Sequence, residues 1–397
     1  MSTRPTIRLR PKMDPRRIRH GFPWVYHNEV VLDRRSRALA PGTIATLEDS
    51  ERKPLGVTAV NPESKIVGRM LDPDIEAEID KAWLDRHVQA AYSLRDQIYD
   101  APFYRLIHAE ADGLPGTIVD RFGEVVVFQA NAAWIDGLAT EFAEVLAALP
   151  GVTTVVKNAS GRARALEGLD DESLVLHGAL DGVVPVVMNG ATYMADLTGG
   201  QKTGLFYDQR PNQAFVAGLA HGTNVLDVCS HVGGFALAAL VGGATKALAV
   251  DSAEPALELA RLGAEASGVA DKFETRKGDA FDVLSALKTE GAKFGTVICD
   301  PPAFAPAKQA LEAGLRAYEK LARFATPLVT PGGTLTLCSC SHAAGIDAFR
   351  TASMRGIGRA GARAQILRIG YAGPDHPLHP ALAESGYLKA ITVRILP

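Results

Sequence analysis

Residues 224–235 read Asn-Val-Leu-Asp-Val-Cys-Ser-His-Val-Gly-Gly-Phe. Apolar residues lead into Asp227, a short polar turn follows, and an apolar helical pattern begins after Gly233 and Gly234. This order predicts a strand, a tight turn and a helix. Glycines let a backbone approach a ligand closely, and a helix N-terminus offers free N–H groups to it. The stretch therefore predicts a turn that binds a ligand.

Polar groups follow the other predicted strands of this half of the chain. They are Asp251 after Ala247–Val250, Gly278-Asp279-Ala280-Phe281 after the segment that ends at Arg276, Asp300-Pro301-Pro302 after Thr296–Cys299, and Cys338-Ser339-Cys340-Ser341 after Thr334–Leu337. Strands that alternate with helices predict an α/β fold with a doubly wound parallel sheet. All these groups would then lie at the sheet edge where open α/β folds bind ligands.

Asp251 indicates which kind of ligand this edge takes. An acidic residue at the end of the second strand typically holds the ribose hydroxyls of an adenosine cofactor. The turn at Gly233 lacks the full G-x-G-x-x-G spacing of nicotinamide-binding proteins, and no second nucleotide-phosphate signal occurs. The pattern favours S-adenosylmethionine over a nicotinamide cofactor.

This motif series resembles that of class I S-adenosylmethionine-dependent RNA methyltransferases. The most similar group is the bacterial 23S rRNA cytosine-C5 methyltransferases with an N-terminal PUA domain. Further stretches similar to that group are residues 110–116 with 119–121, 202–210, and 374–377 with 387–389. The resemblance covers nearly the whole chain and is most specific from Lys202 onward. It implies a cytoplasmic enzyme that methylates carbon 5 of a cytosine in ribosomal RNA.

The resemblance also implies which residues hold the cofactor. Asp227 through Phe235 would cradle the amino-acid part of S-adenosylmethionine, Asp251 its ribose, and Asp279 with Ala280 its adenine. The candidate contacts on these segments and on the Asp-Pro-Pro loop are Asp227, Ser230, Val232, Gly233, Gly234, Phe235, Asp251, Asp279, Ala280 and Asp300. Asp279 also fits a helix N-cap before Phe281. No metal site is predicted, because His376 and His379 lie among prolines in a loop.

Cys340 is the predicted nucleophile. Carbon 5 of cytosine reacts poorly until a thiolate adds to carbon 6, and this chemistry requires an accessible Cys. In the family pattern the nucleophile is the Cys of a Ser/Thr-Cys-Ser run, which matches Ser339-Cys340-Ser341. Cys338 lies two residues earlier on the predicted strand and is interpreted as packing.

Asp300-Pro301-Pro302 predicts a rigid loop that meets the target base, because the prolines hold the backbone extended. Ala303 stands where adenine amino-methyltransferases usually carry an aromatic residue. No Cys follows Pro302, so the two-cysteine version of the RNA cytosine mechanism is absent. Asp300 and a water are the candidates for the base that removes the carbon-5 proton.

Composition indicates a globular protein of two or three domains. The chain has 397 residues, a formal net charge of −3 and four cysteines, Cys229, Cys299, Cys338 and Cys340, whose spacing suits neither a disulfide framework nor a zinc site. The cysteines suit a reducing cytosol. No apolar run is long enough to span a bilayer and no signal peptide opens the chain, so no membrane partner is expected.

Three domains are predicted in chain order. Residues 1–73 form a small all-β PUA-like barrel, residues 74–190 an α+β linker domain, and residues 191–397 the Rossmann-like methyltransferase domain. The first domain carries a basic segment over residues 4–19, read either as a solvated tail or as a phosphate-contacting surface, and the resemblance favours the RNA-binding interpretation. Trp24 is interpreted as a packing residue rather than a platform for a base.

The middle of the chain carries several expectations about single elements. We expect one amphipathic helix over residues 74–100 and a β-hairpin over 183–197 that turns at Asn189-Gly190. Asp112 and Asp120 are interpreted as structural. Residues 202–210 begin with Lys202-Thr203-Gly204. In this run Phe206, Asp208 and Arg210 could flank the adenosine or the RNA, and Phe206 and Arg210 are taken as candidate cofactor contacts. A salt-bridge cluster that joins the domains is an equal alternative.

Two other functions remain open on the sequence alone. A uracil-C5 methyltransferase would use the same thiolate chemistry. A non-catalytic RNA-binding or assembly factor is the third reading, because Cys229-Ser230-His231-Val232 replaces the family's usual Phe-Cys-Tyr-Thr before Gly233. The resemblance allows a homodimer, for which the sequence gives no interface signal.

Overall fold

A computed structural model describes residues 4–197 and 204–397, without the side chain of Arg162. Lys202 and Thr203, two residues of the predicted 202–210 run, lie outside the described residues. Contacts divide the chain into two compact units. The N-terminal unit takes its residues from 1–182, 197–204 and 375–382, and the C-terminal unit from 183–196, 205–374 and 383–397.

The N-terminal unit opens with a six-stranded sheet in the order β2-β6-β5-β4-β1-β3. Its elements are β1 Thr6–Leu9, α1 Arg16–Arg19, β2 Trp24–Tyr26, β3 Val30–Val31, α2 Arg34–Arg37, β4 Thr43–Glu48, β5 Pro54–Val60 and β6 Ile66–Asp72. Alternating apolar side chains such as Ile7 and Leu9 fill one core beneath this sheet. The predicted small all-β domain is therefore present.

Much of the basic N-terminal segment is neutralised within this first sheet. Three ion pairs join it to acidic residues of the same domain: Arg8–Glu48, Arg17–Glu29 and Arg19–Asp49. The side chains of Lys12, Arg16, Arg34 and Arg35 make no ion pair with the residues that the structure describes. The segment is therefore a folded, mixed-charge surface rather than a solvated tail.

A five-stranded sheet in the order β11-β10-β9-β8-β7 follows in the same unit. Its elements are α3 Lys81–Ile98, β7 Phe103–His108, β8 Thr117–Phe122, β9 Val125–Ala130, α4 Ala133–Asp136, α5 Ala139–Ala147, β10 Thr154–Lys157, α6 Arg162–Leu166 and β11 Leu174–His177. Helices α3 and α5 bury aromatic and aliphatic side chains against this sheet, among them Trp83 and Phe142. Strands with crossing helices give the predicted α+β arrangement.

Helix α3 begins later than the sequence predicted. The predicted helix over 74–100 was wrong for residues 74–80, which carry turns and irregular backbone. The Asp80 carboxylate accepts a hydrogen bond from the Trp83 N–H at 2.8 Å and caps the helix there. Ile79 packs against the core from outside the helix. A cap, rather than apolar spacing, therefore fixes the helix start.

Arg69 joins the two sheets of the N-terminal unit. Its guanidinium pairs with Glu110 at 3.2 Å and with Glu167 at 3.0 Å. The indole N–H of Trp24 donates to Glu110 at 2.8 Å, and the Asn61 amide donates to Glu167 at 2.9 Å. Because these groups are largely buried, removing the arginine would leave two buried carboxylates without a positive partner.

A second buried network supports the structural interpretation of Asp112 and Asp120. Arg95 is fully buried and holds the Asp112 carboxylate with two hydrogen bonds of 2.7 and 2.8 Å. Arg105 pairs in the same two-pronged way with buried Asp120. Burial, followed by the positive charge of Arg105, lowers the pKa of His108 to about 2. Asp112 therefore anchors the segment after β7 to α3, and Asp120 joins β8 to β7.

The C-terminal unit contains a seven-stranded sheet in the order β16-β15-β14-β17-β18-β20-β19 and a separate two-stranded hairpin. Its strands are β12 Val184–Met188, β13 Ala191–Ala195, β14 Asn224–Val228, β15 Lys246–Asp251, β16 Phe273–Lys277, β17 Phe294–Cys299, β18 Val329–Ser339, β19 Ala364–Gly370 and β20 Lys389–Ile395. Its helices are α7 Arg210–Ala220, α8 Gly234–Val241, α9 Glu254–Ala266, α10 Ala280–Thr289, α11 Leu311–Ala325 and α12 Ile346–Arg359.

Strand direction in the large sheet follows the prediction of a doubly wound fold. Strands β16, β15, β14, β17 and β18 run parallel, and β20 pairs antiparallel with both β18 and β19. A core of aliphatic and aromatic side chains lies between this sheet and α10, α11 and α12. The carboxyl ends of β14, β15, β17 and β18 consequently share one edge, as expected for an α/β sheet.

The hairpin β12–β13 confirms the predicted turn. Asn189 and Gly190 both have positive φ, 53° and 79°, as a type I′ turn requires. The Tyr193 hydroxyl donates to the Gly234 carbonyl at 3.0 Å, and the Thr192 N–H donates to Ser267 at 2.9 Å. The hairpin therefore packs on α8 and α9.

Among the described residues, no helix has the length and apolarity needed to cross a membrane.

Candidate active site

Four carboxylates converge where the parallel strands end. Burial raises the pKa of the Cys229 thiol to about 12. Nearby negative charges raise that pKa further, and they belong to Asp251, Asp300, Asp227 and Asp279. Asp227 lies near the end of β14, Asp251 ends β15, and Asp279 and Asp300 follow β16 and β17, so the sheet brings together acids that are far apart in sequence. The four acids therefore surround the 229–233 turn, and Asp227 is fully buried there.

The 229–233 turn has an unusual backbone. Cys229 and His231 adopt positive φ values of 62° and 50°, although neither is glycine. Such conformations cost about 1–3 kcal/mol and persist only where the surroundings enforce them. Here the Ser230 N–H donates to the Val250 carbonyl at 3.0 Å, and the Gly233 N–H donates to the Ser230 carbonyl at 2.9 Å. The turn is thus held open in a strained shape at the N-terminus of α8.

Two buried polar atoms in this turn lack partners among the described residues. The Asp227 carboxylate accepts from the Ala236 N–H at 2.9 Å through one oxygen, while its other oxygen has no hydrogen bond. The Ser230 hydroxyl is likewise buried and without a partner. Burial raises the pKa of Asp227 to about 7. Buried polar groups are rarely left unpaired, so both atoms are candidates for contact with a ligand.

Asp251 and Asp279 are fixed by backbone N–H groups. Asp251 accepts from the His231 N–H and the Ala253 N–H, both at 2.9 Å. Asp279 accepts from the Phe281 N–H at 2.8 Å, which confirms its role as the N-cap of α10. Asp279 is nevertheless exposed and remains accessible to a ligand. Backbone hydrogen bonds therefore fix the orientation of both carboxylates.

The remaining predicted contacts differ in their surroundings. Val232 and Phe235 are buried, and Ala280 is half-buried at the start of α10. The Phe206 ring packs edge-on against His231, with 5.1 Å between ring centroids. Arg210 begins α7, and its guanidinium lies over the Tyr207 ring, 5.3 Å from the ring centroid.

Gln209 holds the Asp300 carboxylate and was not predicted. Its amide donates to Asp300 at 3.0 Å, and its carbonyl accepts from the Asn212 amide at 2.7 Å. Gln209 and Asn212 are both buried. Asp300 is separated from Gln209 by 91 residues in sequence. Only the fold reveals this support, although Gln209 does belong to the 202–210 run that resembles the family.

Cys340 differs from the other three cysteines by its position. Its sulfur lies just past β18, 4.0 Å from the Pro301 carbonyl oxygen, and is only partly buried. Cys299 and Cys338 are buried within strands, where burial raises the pKa of each thiol well above its ordinary value. A buried thiol of high pKa is a poor nucleophile. Cys340 is thus the cysteine that combines access with the Asp-Pro-Pro loop.

A buried hydroxyl cluster ties the Cys340 loop to the Asp-Pro-Pro loop. The Ser341 hydroxyl accepts from the Ala305 N–H at 2.9 Å and bonds to the Tyr318 hydroxyl at 2.8 Å. The Ser339 hydroxyl donates to the same tyrosine at 2.9 Å. Both serines that flank the cysteine therefore point into the protein. They fix the distance between Cys340 and the residues after Pro302, a role that the sequence pattern did not predict.

Two protein families match this chain in separate regions. A PUA-like domain family matches residues 7–73, and the S-adenosylmethionine-dependent methyltransferase family matches residues 136–364, more than half of the chain. The match to the first family covers the six-stranded sheet. The match to the second begins in the N-terminal unit and continues through the large parallel sheet.

Individual proteins are similar over nearly the full length. A ribosomal RNA large subunit methyltransferase of Deinococcus radiodurans is 34% identical, with 99% of this chain and 98% of the relative covered. Ribosomal RNA large subunit methyltransferase I of Erwinia tasmaniensis is 31% identical, with 94% and 95% covered. A solved structure from Streptococcus mutans, described as a SAM-dependent methyltransferase, shares the fold with a TM-score of 0.82, 19% identity and 98% and 100% coverage. The chain therefore belongs to the S-adenosylmethionine-dependent ribosomal RNA large subunit methyltransferase family.

Proposed function

We propose that this protein transfers a methyl group from S-adenosylmethionine to carbon 5 of a cytosine in 23S ribosomal RNA, through a covalent adduct with Cys340. The observation that carries the proposal is the position of Cys340, with a partly exposed thiol 4.0 Å from the Pro301 carbonyl at the sheet edge. Names of the relatives support ribosomal RNA as the substrate. The choice of carbon 5 follows from thiolate chemistry.

The residues around the 229–233 turn fit S-adenosylmethionine. Asp227 and Ser230 each carry a buried polar atom that has no partner among the described residues. A carboxylate oxygen suits a ligand ammonium, and a hydroxyl suits a ligand carboxylate or hydroxyl. Asp251 lies at the end of β15, the position that holds ribose hydroxyls in related sheets. Bound S-adenosylmethionine supplies an electrophilic methyl group and leaves as S-adenosylhomocysteine.

We assign the proposed cofactor contacts by part of the ligand. The turn from Asp227 to Phe235 meets the amino-acid part, Asp251 the ribose, and Asp279 with Ala280 the adenine. The half-buried Phe206 ring, which lies edge-on to His231, is proposed to pack on the ligand. Arg210, whose guanidinium lies over the Tyr207 ring, remains a proposed cofactor contact.

The proposed chemistry begins at Cys340. The thiol loses its proton to solvent, and the thiolate sulfur bonds to carbon 6 of the cytosine. The electrons of the carbon 5–carbon 6 double bond make carbon 5 nucleophilic, and carbon 5 takes the methyl group. Carbon 5 then loses its proton, the double bond re-forms, and the sulfur–carbon 6 bond breaks. Cys340 is thereby released as a thiolate.

Asp300 is the protein group proposed to receive the carbon-5 proton, directly or through a water. Gln209 holds one of its oxygens at 3.0 Å, so the carboxylate is oriented rather than freely rotating. The Pro301-Pro302 backbone lies beside the Cys340 sulfur, which places base and nucleophile on adjoining loops. A cytosine must leave its stack to reach this edge.

The proposed RNA contacts include the PUA-like domain. Arg8, Arg17 and Arg19 are paired with acids, so the unpaired side chains carry the proposed phosphate contacts. Those side chains are Lys12, Arg16, Arg34 and Arg35. Each neutralised phosphate makes binding more sensitive to salt. The three-domain division and the homodimer stay predictions.

Labelled methyl transfer to ribosomal RNA that lacks its native methylation tests this proposal. Nucleosides of the product are identified by mass spectrometry for the wild-type protein, Cys340→Ala and the control Cys338→Ala. We expect 5-methylcytidine from the wild type and the control, and none from Cys340→Ala. Undiminished methylation by Cys340→Ala would exclude Cys340 as the nucleophile.

Two other results would change the assignment. 5-Methyluridine that depends on Cys340 would keep the mechanism and replace the base. No transfer to any RNA, with S-adenosylmethionine binding absent in calorimetry, would favour a non-catalytic RNA-binding factor. The strained turn at Cys229 and His231 would then have a structural role only.

A further inference from the structure

Lys389 occupies an unusual place for a lysine. It is the first residue of β20, lies opposite Ser339 of β18, and is 3% exposed. Its ammonium donates to the Ser341 carbonyl at 2.7 Å and to the Ala344 carbonyl at 2.9 Å. These two carbonyls belong to the loop that directly follows Cys340. Lys389 therefore fixes this loop from the neighbouring strand.

The ammonium of Lys389 has no carboxylate partner within ion-pair distance among the described residues. A buried charge without a counter-charge is costly, since carbonyl dipoles replace only part of its lost hydration. Burial accordingly lowers the pKa of Lys389 to about 8, and the negative charge of the Cys340 thiolate opposes this effect. An ionised Cys340 would therefore supply the negative charge that this lysine lacks.

The opposite side of the loop is held by neutral groups. The Ser341 hydroxyl is bonded to Tyr318 and to the Ala305 N–H. Burial raises the pKa of Tyr318, so this hydroxyl stays uncharged when Cys340 ionises. Lys389 is consequently a positive group held on the loop that follows the cysteine. Its sequence separation from Ser341 is 48 residues, so neighbouring residues do not reveal it.

We propose that Lys389 is a positioning residue for Cys340: its ammonium holds the 341–344 loop through two carbonyls and stabilises the thiolate by its charge. The inference rests on the proposed nucleophilic role of Cys340 and adds the group that activates it. Lys389 keeps its proton throughout, and the proton of the thiol passes to solvent. Lys389 does not touch the substrate in this account.

Alkylation of Cys340 by iodoacetamide tests this inference without RNA or cofactor. The rate is measured on the full-length protein from pH 6 to 9 by mass spectrometry of the peptide that contains Cys340. The variants are Lys389→Met, Lys389→Gln and Lys389→Arg. Lys293→Met is the matched control, because Lys293 also donates to a backbone carbonyl, that of Pro327, but is exposed.

We expect Lys389→Met and Lys389→Gln to react roughly tenfold more slowly at pH 7, because a tenfold change corresponds to one unit in a thiol pKa. Lys389→Arg keeps the charge and should recover most of the rate, and Lys293→Met should match the wild type. The wild-type advantage should shrink above about pH 8, where Lys389 loses its proton. The exposed His342 is present in every variant, so its contribution is common to all the rates that are compared.

A wild-type rate for Lys389→Gln across the whole pH range would overturn the inference, because glutamine removes the charge and keeps a donor. If Lys389→Met unfolds, as thermal denaturation would reveal, the glutamine and arginine variants still decide the outcome. Failure of the proposed function would look different. Cys340→Ala would still methylate RNA, while in proteins that retain Cys340 its alkylation rate would still depend on Lys389.

Discussion

Asp227 gives the sharpest prediction about the proposed cofactor site. It is fully buried on β14, and one of its oxygens has no partner among the described residues. Burial raises its pKa from 3.8 to about 7. In the ligand-free protein the ionised carboxylate is therefore unfavourable. We expect the ammonium group of a ligand to bind it and stabilise its ionised form. Replacing Asp227 by Asn should stabilise the empty protein and weaken S-adenosylmethionine binding.

The size and sign of the effect follow from the pKa. A carboxyl whose pKa is higher in the folded than in the unfolded state contributes most stability below pH 3.8 and loses it as the pH rises through about 7. The full difference corresponds to roughly 4 kcal/mol at pH 8, and to roughly 2 kcal/mol at pH 5.5. Asp227→Asn escapes this loss, because the amide never ionises and keeps an oxygen for the Ala236 N–H.

Urea denaturation of the ligand-free wild type and Asp227→Asn at pH 5.5 and pH 8 measures this effect. We expect the variant to be more stable at both, with the larger gain at pH 8. Calorimetry at pH 7 should detect proton release when the wild type binds S-adenosylmethionine, and much weaker binding by Asp227→Asn. A variant that is less stable than the wild type at pH 8, or binds the cofactor equally tightly, would refute the reasoning.

Three further substitutions, one of them with a matched control, give predictions about the structure. Arg69→Met should destabilise the N-terminal unit by about 3 kcal/mol in urea denaturation, because it leaves two largely buried carboxylates without a positive partner. The control Lys81→Met breaks an exposed ion pair and should cost less than about 1 kcal/mol. Equal effects of the two substitutions would contradict this prediction. Gly233→Ala should cost about 1–3 kcal/mol and weaken cofactor binding in calorimetry, because φ is +81° and the new Cβ would lie 3.2 Å from Leu237; an unchanged affinity would speak against a shaped turn. Tyr318→Phe should lower the free energy of unfolding by about 1–3 kcal/mol, because two serine hydroxyls lose their shared partner. It should also lower kcat while changing KM less. Unaltered kinetics would show that this hydroxyl cluster does not position Cys340.

Sequence reasoning reached the parts of the fold that local signals encode. The strand before Asp227, the turn at Gly233 and the hairpin at Asn189-Gly190 each combine a hydrophobic period with turn chemistry. Polar residues after successive strands predicted one shared edge, because parallel strands must end together. The negative charges of Asp251, Asp300, Asp227 and Asp279 all raise the pKa of Cys229, which supports this prediction.

Other parts depend on contacts between distant residues and were missed. Gln209 supports Asp300 across 91 residues, and Lys389 reaches the Ser341 carbonyl across 48. Both residues lie in stretches that resemble the family, but nothing in those stretches shows which distant group each side chain contacts. The start of α3 at Lys81 was missed for a different reason: Asp80 is a visible N-cap signal, but the apolar spacing before it extended the predicted helix too far.

The basic N-terminal segment shows why charge counts alone mislead. Seven Lys or Arg residues against a single acid suggested either a free tail or an RNA surface. The fold supplies Glu29, Glu48 and Asp49 from later strands and loops, and these neutralise three of the arginines. Which charges stay available for phosphate is therefore a property of the folded sheet.

The central claim is the bond between Cys340 and carbon 6 of a cytosine, and a trapped adduct tests it most directly. Ribosomal RNA containing 5-fluorocytidine is incubated with the protein and S-adenosylmethionine. Fluorine at carbon 5 cannot leave as a proton, so the methylated adduct should persist. Digestion and mass spectrometry should then find one modified nucleoside on the peptide that contains Cys340. Methylated RNA with no adduct on Cys340, or an adduct on another cysteine, would contradict the account.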